Sequence, residues 1–503
     1  MSGAPKATGT AFRVADLLRA DAPWEVYAEN VRRYEVHLNG RSVEMVRGPI
    51  SLEGYGIRLV RARNGTTGFG FQASTDLSEA GIRAATQDAE SVAAHAEFPA
   101  RKVDLPTGSR GAGPDVEIVD RKLWDDPMGT IDAYVAELLR SFDGKRDVVP
   151  SFGSVRATLA QTTIANSAGV RASFPHTVVD FEVAVKASGG PEGPPPGEYW
   201  VNSTGRRLES ERLAREVERW CQDARDARTA RPPPTGELPV ALPAEVLAGI
   251  LPPVFGYRFT GAARLRKLAP AEGDRVAADS LSITDDGLRP WAPASFPVDA
   301  EGAERAGRPV VAAGKVVDLL YDSAHAAAFD RGATASAERG VSPGGYADWR
   351  RFAYSPRVST STLSVAPGTG GSDAEVIESA KDGIWVQQLG WAYPDPISGA
   401  FGGEIRLGYR IRNGRIAEPL RGGTVGGVVL APPGRPSMLS QIVTVGSTVE
   451  LAGAVAAPSI LVRPLVVAGA EPPSSTSKPR ATSRRSSGTS RTGRRAGSPK
   501  KSR

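Results

Sequence analysis

Hydrophobic residues recur with two periods along this chain, and each period predicts a different element. Ile57, Leu59 and Val60 precede Asn64-Gly65, and Phe69 and Phe71 follow it. An Asn-Gly pair between two such runs predicts a β-hairpin, because both central residues can adopt positive φ. Asn413-Gly414, between the strand-like stretches of residues 404–416, predicts a second hairpin.

Apolar positions at helical spacing predict several helices. Asp76 or Ser78 is expected to open a helix that ends near Glu97, because a short polar side chain caps free backbone N–H groups. A charged helix over 206–228 is expected to bury a stripe of Leu213, Val217, Trp220 and Ala224. The other predicted helices cover residues 128–142 and 244–251, and VVDLLY (316–321) is predicted to be a strand.

The order of these elements predicts an α+β fold with two domains, in line with a length that exceeds one usual hydrophobic core. The Pro-rich segment RPPPTG ends the charged helix and is the expected boundary. The predicted divisions are an extension (1–11), a mixed strand and helix domain (12–230), a linker (231–236), a strand-rich domain (237–470) and a tail (471–503).

Charge is distributed unevenly, which changes the meaning of the formal net charge of +6. Residues 471–503 contain ten Lys or Arg and one acid, Glu471. The remaining residues carry 52 basic and 55 acidic side chains, a net charge of −3. The tail contains no aromatic residue and no aliphatic residue larger than alanine, so we predict it to be disordered. A nucleic-acid contact is therefore expected only through the tail, if anywhere.

Several protein classes are disfavoured by what the sequence lacks. The chain has no uninterrupted apolar run of about 18 residues, as a membrane-spanning helix requires. Its first residues do not follow the basic-then-apolar order of a signal peptide. A single cysteine, Cys221, excludes an intrachain disulfide framework. These observations favour a cytoplasmic location.

Catalytic motifs are weak. None of the four histidines (His37, His95, His176 and His325) is one helical turn from another, so no helical His-pair zinc site is expected. Residues 340–344 match G-x-S-x-G, but no strand precedes Ser342 and no histidine follows it, so we interpret the match as chance. The acidic pairs Asp285/Asp286 and Asp299/Glu301 suit either acid–base chemistry or turn capping, and both remain open.

An ordered series of motifs resembles the TldD/PmbA family, whose members were once described as modulators of DNA gyrase. The series begins with GYGIRLVRARNGTTGFGF (54–71) and the Asn-Ser-x-Gly turn of TTIANSAGV (162–170). It continues through ITDDG (283–287), an Asp-x-Glu-Gly element (299–302) and a Leu-Tyr-Asp-x-x-x-Ala helix start. GTGGSDAEVIESAKDGIWVQQLGW (368–391), 398–427 and 457–469 follow in family order. The resemblance covers about residues 12–469.

The resemblance implies a role in a zinc metallopeptidase that processes unfolded peptides. In this family the TldD subunit carries a His-Glu-x-x-x-His helix, and the PmbA/TldE subunit lacks it. Residues 243–259 occupy the expected place of that helix but contain no histidine, and Pro252-Pro253 are expected to interrupt it. The chain thus resembles the PmbA/TldE branch. No cofactor is expected in this chain, and zinc is expected only in a TldD-like partner.

The implied function is the non-metal-binding subunit of a heterodimer that encloses a proteolytic chamber and binds unfolded peptide. Whether the chain is active alone stays open. Alternatives are a diverged hydrolase that uses the two acidic pairs and a DNA-associated modulator that acts through the tail. Family-motif positions with either a substrate-contacting or a structural role are Asn166, Ser167, Gly169, Asp285, Asp286, Asp299, Glu301, Gly302 and Tyr321.

Overall fold

Long strands dominate the first half of the protein and shorter strands the second half. The computed structural model describes residues 9–108, 110–188, 196–340, 348–432 and 434–469, without the side chain of Arg110. These residues belong to one compact unit that extends to Gly469. The helices are α1 (Thr10–Leu17), α2 (Glu79–His95), α3 (Arg121–Asp125), α4 (Pro127–Arg140), α5 (Ser210–Thr229), α6 (Ala244–Arg258), α7 (Gly261–Leu265), α8 (Ser323–Ala328) and α9 (Asp373–Ala380).

The strands before residue 206 form one sheet. They are β1 (Trp24–Asn39), β2 (Ser42–Ala62), β3 (Thr67–Ser74), β4 (Arg110–Gly111), β5 (Val148–Asn166), β6 (Arg171–Ala187) and β7 (Gly197–Gly205). Their order is β3-β2-β1-β5-β6-β4, and β7 also pairs with β6. One apolar cluster joins this sheet to α4 and α5, and another joins it to α1 and α2.

The strands after residue 235 form several sheets. They are β8 (Gly236–Leu242), β9 (Ile283–Asp286), β10 (Gly307–Ala312), β11 (Lys315–Val316), β12 (Ala337–Glu338), β13 (Arg357–Val358), β14 (Leu363–Val365), β15 (Gly383–Gly390), β16 (Ala400–Arg412), β17 (Arg415–Leu420), β18 (Thr424–Val428), β19 (Ile442–Val445), β20 (Glu450–Ala452), β21 (Val455–Ala457) and β22 (Ile460–Ala468).

A closed ring of strands organises the second half. The pairings run β15-β8-β22-β18-β16, and an additional β15–β16 pairing closes the ring into a barrel. A smaller sheet has the order β11-β10-β9-β14-β21-β20. The largest apolar cluster packs α6 between residues of this smaller sheet and of the barrel. Because the ring is closed, each of its five strands is paired on both sides. Free strand edges therefore lie in the other sheets.

The predicted α+β class and most predicted elements are confirmed. Ser78 caps α2 by accepting a hydrogen bond from the Gly81 N–H at 3.0 Å. Both Asn-Gly hairpins form, and Asn413 and Gly414 both have positive φ. At the first hairpin only Gly65 of the pair does, because the loop contains residues 63–66 rather than two. The apolar stripe of α5 is buried as predicted.

Three predicted bounds are wrong. The charged helix begins at Ser210 rather than at residue 206, because the Arg206 side chain is buried against other backbone groups. Residues 316–321 are not one strand, since β11 ends at Val316. The domain boundaries themselves stay a prediction.

The third error concerns Pro252 and Pro253, which do not interrupt their helix: α6 runs through both to Arg258. Proline in a helix interior costs about 3 kcal/mol. Burial of Leu247, Ile250 and Phe255 in the largest core offsets that cost, since most helical stability in proteins comes from tertiary packing.

No helix within the described ranges is both long and apolar enough to cross a membrane.

Candidate functional site

A cleft of about 1680 Å³ is lined by residues from both halves of the protein. From the first half it takes parts of β6, β7 and α5. From the second half it takes one side of α6, the segment 355–361 and the ends of β15 and β20. The volume exceeds the range of roughly 300–1,000 Å³ usual for small-ligand sites, so the cleft has room for a peptide.

Two strand edges border this cleft. Among the described strands, β7 pairs only with β6, and its residues 200–205 line the cleft. In the same part of the chain, β20 pairs only with β21, and residues 448–454 line the cleft as well. The outer side of an edge strand carries backbone N–H and C=O groups that can pair with an added extended segment.

One wall of the cleft is the face of α6 that carries Glu245, Gly249, Pro252 and Gly256. Because proline has no N–H, Pro252 and Pro253 leave the carbonyl groups of Ala248 and Gly249 without their helical donors. Zinc requires histidine, cysteine or several carboxylates at close spacing, and this face offers a single carboxylate. These residues do not fit a zinc site, and the described part of the chain holds no group of three metal-binding side chains.

Two cleft tryptophans have strained backbones. Trp291 has φ 62° and Trp391 has φ 51°, a left-handed conformation that is unusual for a bulky residue. An arginine stacks on each ring: Arg207 lies 4.5 Å from the centroid of Trp291 and Arg406 lies 4.1 Å from that of Trp391. Trp391 is still 60% exposed. Strain of this kind persists only where surrounding contacts hold it, and it concentrates at binding sites.

A buried ion network beneath the cleft joins the two halves. The Arg58 guanidinium lies 2.7 Å from Glu25 Oε2 and 2.8 Å from Glu301 Oε1. Arg339 donates to the other oxygen of Glu25. Burial by itself lowers the pKa of Arg58, but the two carboxylates outweigh burial and raise it above its usual value. All four side chains are at least nine-tenths buried, so each charge depends on its partners.

His325 and Asp322 form a hydrogen-bonded pair in the lining of the cleft. Asp322 caps α8: its Oδ1 accepts from the His325 backbone N–H at 2.8 Å and lies 2.7 Å from the ring Nδ1. Burial raises the pKa of the Asp322 carboxyl, but its contacts with His325 and the charge of Arg58 bring it below the usual value. The pair fixes the orientation of the ring, whose edge packs on Phe98.

Arg206 ties the end of β7 to the second half of the chain. Its guanidinium donates to the carbonyl groups of Thr177, Ala292, Pro293 and Ser295. Burial, together with the charge of Arg351, lowers its pKa to about 9. Arg206 therefore acts as a buried cross-link at the base of the cleft.

The predicted turn residues Asn166, Ser167 and Gly169 shape the β5–β6 hairpin. Asn166 Oδ1 accepts from the N–H groups of Ala168 and Val170 at 3.0 Å each, while Nδ2 donates to Pro106 O at 2.8 Å. Ser167 Oγ accepts from the Trp24 N–H at 3.1 Å. Gly169 has φ 98°, which side-chain-bearing residues rarely adopt. The side chains of Asn166 and Ser167 thus satisfy backbone groups.

The Asp-x-Glu-Gly element packs against that hairpin. Asp299 accepts three backbone N–H groups, from Glu301, Ala303 and Ala337, at 2.9 to 3.0 Å. Burial, with the neighbouring charge of Glu301, still raises its pKa to about 7. A Cβ on Gly302 would lie 2.6 Å from the side chain of Val170. The Asp-x-Glu-Gly element therefore meets the Asn-Ser-x-Gly turn through a glycine contact.

Glu301 also joins the two halves directly. One of its oxygens lies against Arg58, and the other accepts from Ser323 Oγ at 2.7 Å and from the Ser323 N–H at 2.9 Å. Glu301 and Asp299 are therefore held in separate hydrogen-bond sets rather than in one acid–base couple.

Asp285 and Asp286 are neighbours on β9, and side chains of successive strand residues point to opposite faces. Asp285 accepts from the Ser361 N–H at 2.7 Å and from its hydroxyl at 2.9 Å, and burial raises its pKa to about 6. Asp286 accepts from the Leu288 N–H at 3.3 Å. The two carboxylates do not form the pair that a hydrolase would need.

Tyr321 is buried, and its hydroxyl oxygen accepts from Arg264 at 2.8 Å.

None of the nine predicted positions is among the residues that line the cleft. The cleft residues that the motifs pointed to only indirectly are Arg58, in the Gly-hydrophobic-Arg element, and Asp322, in the predicted helix start. Trp391 is the last residue of the motif 368–391, and no role was predicted for this tryptophan. Ser342 and the tail 471–503 lie outside the described residues.

The second half of the chain matches a known family. Residues 235–469 match the family described as PmbA/TldA metallopeptidase C-terminal domain. Residues 235–469 therefore form a domain of the TldD/PmbA family, which is related to metallopeptidases.

Solved structures share the fold over most of the chain. A putative modulator of a DNA gyrase from Thermotoga maritima superposes with a TM-score of 0.74 at 18% identity, covering 91% of this chain and 99% of that one. TldE from Thermococcus kodakarensis gives 0.71 at 16%, with 91% and 99% covered. A putative modulator of DNA gyrase from Bacteroides thetaiotaomicron gives 0.71 at 16%, with 92% and 97% covered. At these identities the similarity establishes the fold alone.

Proposed function

We propose that this chain is the non-metal-binding, TldE-like subunit of a cytoplasmic TldD/TldE-type zinc metallopeptidase. It pairs with a TldD-like subunit as a heterodimer, completes the proteolytic chamber and binds unfolded peptide. The zinc and its chemistry belong to the partner. Membership in a metallopeptidase-related family supports the class of reaction.

The observation that carries this proposal is the large cleft bordered by two strand edges. An unfolded peptide presents an unpaired backbone N–H and C=O at most residues. The edges of β7 and β20 can satisfy those groups without regard to sequence, and the cleft tryptophans can pack against apolar side chains. This is the chemistry of a peptide-binding wall, not of a bond-cleaving centre.

The α6 wall of the cleft supports the proposal that the zinc lies in the partner and that this chain binds peptide. The helix occupies the position expected for the TldD zinc helix, yet its cleft side carries Glu245 followed by Gly249, Pro252 and Gly256. The acidic pairs that a diverged hydrolase was predicted to use are bound by backbone and serine groups away from the cleft.

Co-purification with a His-Glu-x-x-x-His paralogue from the same cell tests the proposal. We expect a stable complex that degrades unfolded peptide and loses this activity with a zinc chelator. The isolated chain is expected to bind no stoichiometric zinc and to cleave nothing. Chelator-sensitive proteolysis by the isolated chain, or an active paralogue that never associates with it, would contradict the proposal.

Trp391 provides a second test, because it is an exposed aromatic side chain inside the cleft. We expect Trp391→Ala to weaken binding of an unfolded, aromatic-containing peptide by about tenfold, the usual cost of losing a central aromatic contact. Fluorescence anisotropy with a labelled peptide measures the effect.

Tyr393→Ala is the matched control, since Tyr393 is 79% exposed, lies two residues away and is not part of the cleft lining. Its affinity for the same peptide should equal that of the unchanged protein. Equal losses in both variants would show that the aromatic contact is not specific to the cleft.

A further inference from the structure

Two backbone carbonyl groups of α6 lack the donors that a helix normally supplies. A helical carbonyl accepts from the N–H four residues later or, in a tighter turn, from the N–H three residues later. For Gly249 both of those residues are proline, Pro252 and Pro253, so neither bond can form. Ala248 loses its usual donor to Pro252 and keeps only the closer one, the N–H of Leu251. The carbonyl of Gly249 is therefore the acceptor that its helix satisfies least.

The carbonyl of Gly249 is also accessible from the cleft. Gly249 is exposed, and both Gly249 and Ala248 belong to the cleft lining. A Cβ built on Gly249 would meet no atom within 4 Å, so the space beside it is open. Within the described ranges, no backbone N–H of another element donates to either carbonyl. A ligand in the cleft can therefore supply the missing donor.

The rest of α6 holds these carbonyl groups in place. Its opposite face packs Ile250 and Phe255 into the largest apolar cluster. One turn after the prolines, a Cβ on Gly256 would lie 3.0 Å from Ser359 Oγ, so the helix is covered there but open at Gly249. An acceptor on a rigid element loses little conformational freedom when it binds, which favours its use as a binding group.

We propose that the carbonyl groups of Gly249 and Ala248 form a fixed acceptor site for an N–H group of the bound peptide. The donor is a main-chain amide or the amino-terminal ammonium. A peptide that adds to a strand edge such as that of β20 pairs through one side only, and the N–H groups on its other side still need acceptors. This inference rests on the proposed peptide-binding function and names a backbone contact that the prolines make available.

Pro253→Ala tests the site by restoring the missing helical donor. The new N–H lies four residues after Gly249 and donates to its carbonyl, which is then no longer free for a ligand. Pro253 is buried and is not part of the cleft lining, so the cleft keeps its side chains. We expect the full-length variant to bind a labelled unfolded peptide about three- to tenfold more weakly, as the loss of one hydrogen bond predicts. Fluorescence anisotropy measures the affinity.

Val254→Ala is the matched control. Val254 is the next residue of α6, is buried in the same apolar cluster and does not line the cleft. This change removes buried volume but adds no N–H, so the affinity for the peptide should stay that of the unchanged protein. Pro253→Ala should unfold at a higher temperature than Val254→Ala, because it removes a proline from a helix interior. The more stable variant is thus expected to bind less tightly.

Ester analogues of the peptide identify the donor. Each acetylated analogue replaces one amide N–H by an ester oxygen, and a further peptide keeps all its amides but has a free amino terminus. For a main-chain donor, one ester position should weaken binding to the unchanged protein but not to Pro253→Ala. Esters that disturb pairing with a strand edge should weaken binding to both proteins equally. For a terminal donor, the free amino terminus should improve binding to the unchanged protein alone.

The outcomes separate the acceptor site from the function on which it rests. Equal affinity of Pro253→Ala and the unchanged protein for every peptide would overturn the site and leave peptide binding intact. An equal loss in Val254→Ala would also overturn it, since the cause would then be a disturbed core. If the unchanged protein binds none of the peptides, the proposed function fails as well.

Discussion

Replacing Arg58 with methionine is expected to lower the free energy of unfolding by about 3–5 kcal/mol, the usual cost of removing one partner from a buried ion pair. Methionine preserves most of the apolar volume, so the loss is chiefly electrostatic. The change leaves Glu25 with Arg339 alone and leaves Glu301 with Ser323 alone. Denaturant-induced unfolding of the full chain measures the loss.

The pH dependence of this effect distinguishes charge from packing. Without Arg58, the carboxylates of Glu25 and Glu301 gain from proton uptake, which the folded variant can accept more readily than the unfolded chain. Stability of the variant should therefore fall as pH rises, and the gap to the unchanged protein should be smaller at pH 5 than at pH 8. A pure packing defect would give the same gap at both values.

Arg83→Met is the control for Arg58. Arg83 lies 3.1 Å from Glu79 on α2, and both side chains are well exposed. Exposed ion pairs contribute about 0–1 kcal/mol, so this variant should unfold close to the unchanged protein. If Arg58→Met has an equally small effect, the buried network does not hold the two halves together.

Replacing Gly70 with alanine is expected to destabilise the protein by about 3 kcal/mol or more, at the upper end of the range for overpacking. A Cβ at this position of β3 would lie 1.7 Å from the carbonyl oxygen of Ala89 in α2. Backbone atoms cannot swing aside as a flexible side chain can, so helix and strand must separate. The midpoint of thermal or denaturant unfolding measures the cost.

Gly402→Ala provides the matched comparison for Gly70. Gly402 also lies in a strand, β16, but a Cβ there meets no atom within 4 Å. Alanine restricts the unfolded chain, so a neutral effect or a gain of about 0.4–1 kcal/mol is expected. Equal losses at the two positions would mean that strand propensity, not the approach of α2, explains the effect at Gly70.

Local chemistry explains which predictions were confirmed. The Ser78 cap, the α5 stripe and the Asn413-Gly414 turn each depend on residues a few positions apart, whose geometry is set by backbone sterics and helical periodicity. The predicted break at Pro252-Pro253 failed for the opposite reason. Burial of α6 against distant strands offsets a local cost that proline imposes in any sequence.

The predicted site positions also separate features that local sequence sets from features that tertiary packing sets. Asn166, Asp299 and Gly302 were recognisable as turn residues, and they do form turns. That the two turns pack on one another through Gly302 and Val170 depends on how the two halves meet. Whether these positions also contact substrate stays a prediction, and no local signal indicated that the cleft lies elsewhere.

The amino-acid sequence by itself determined the hairpins, the principal helices, the placement of positive charge in the last 33 residues and the lack of histidine in α6. Only the tertiary structure decided that Arg58 meets Glu301, that Gly302 packs against Val170, and that two strand edges border one cleft. Short-range rules act through neighbouring dihedral angles and can be read from the chain. Contacts between distant residues depend on sheet register and on the packing of whole layers, which no single segment encodes.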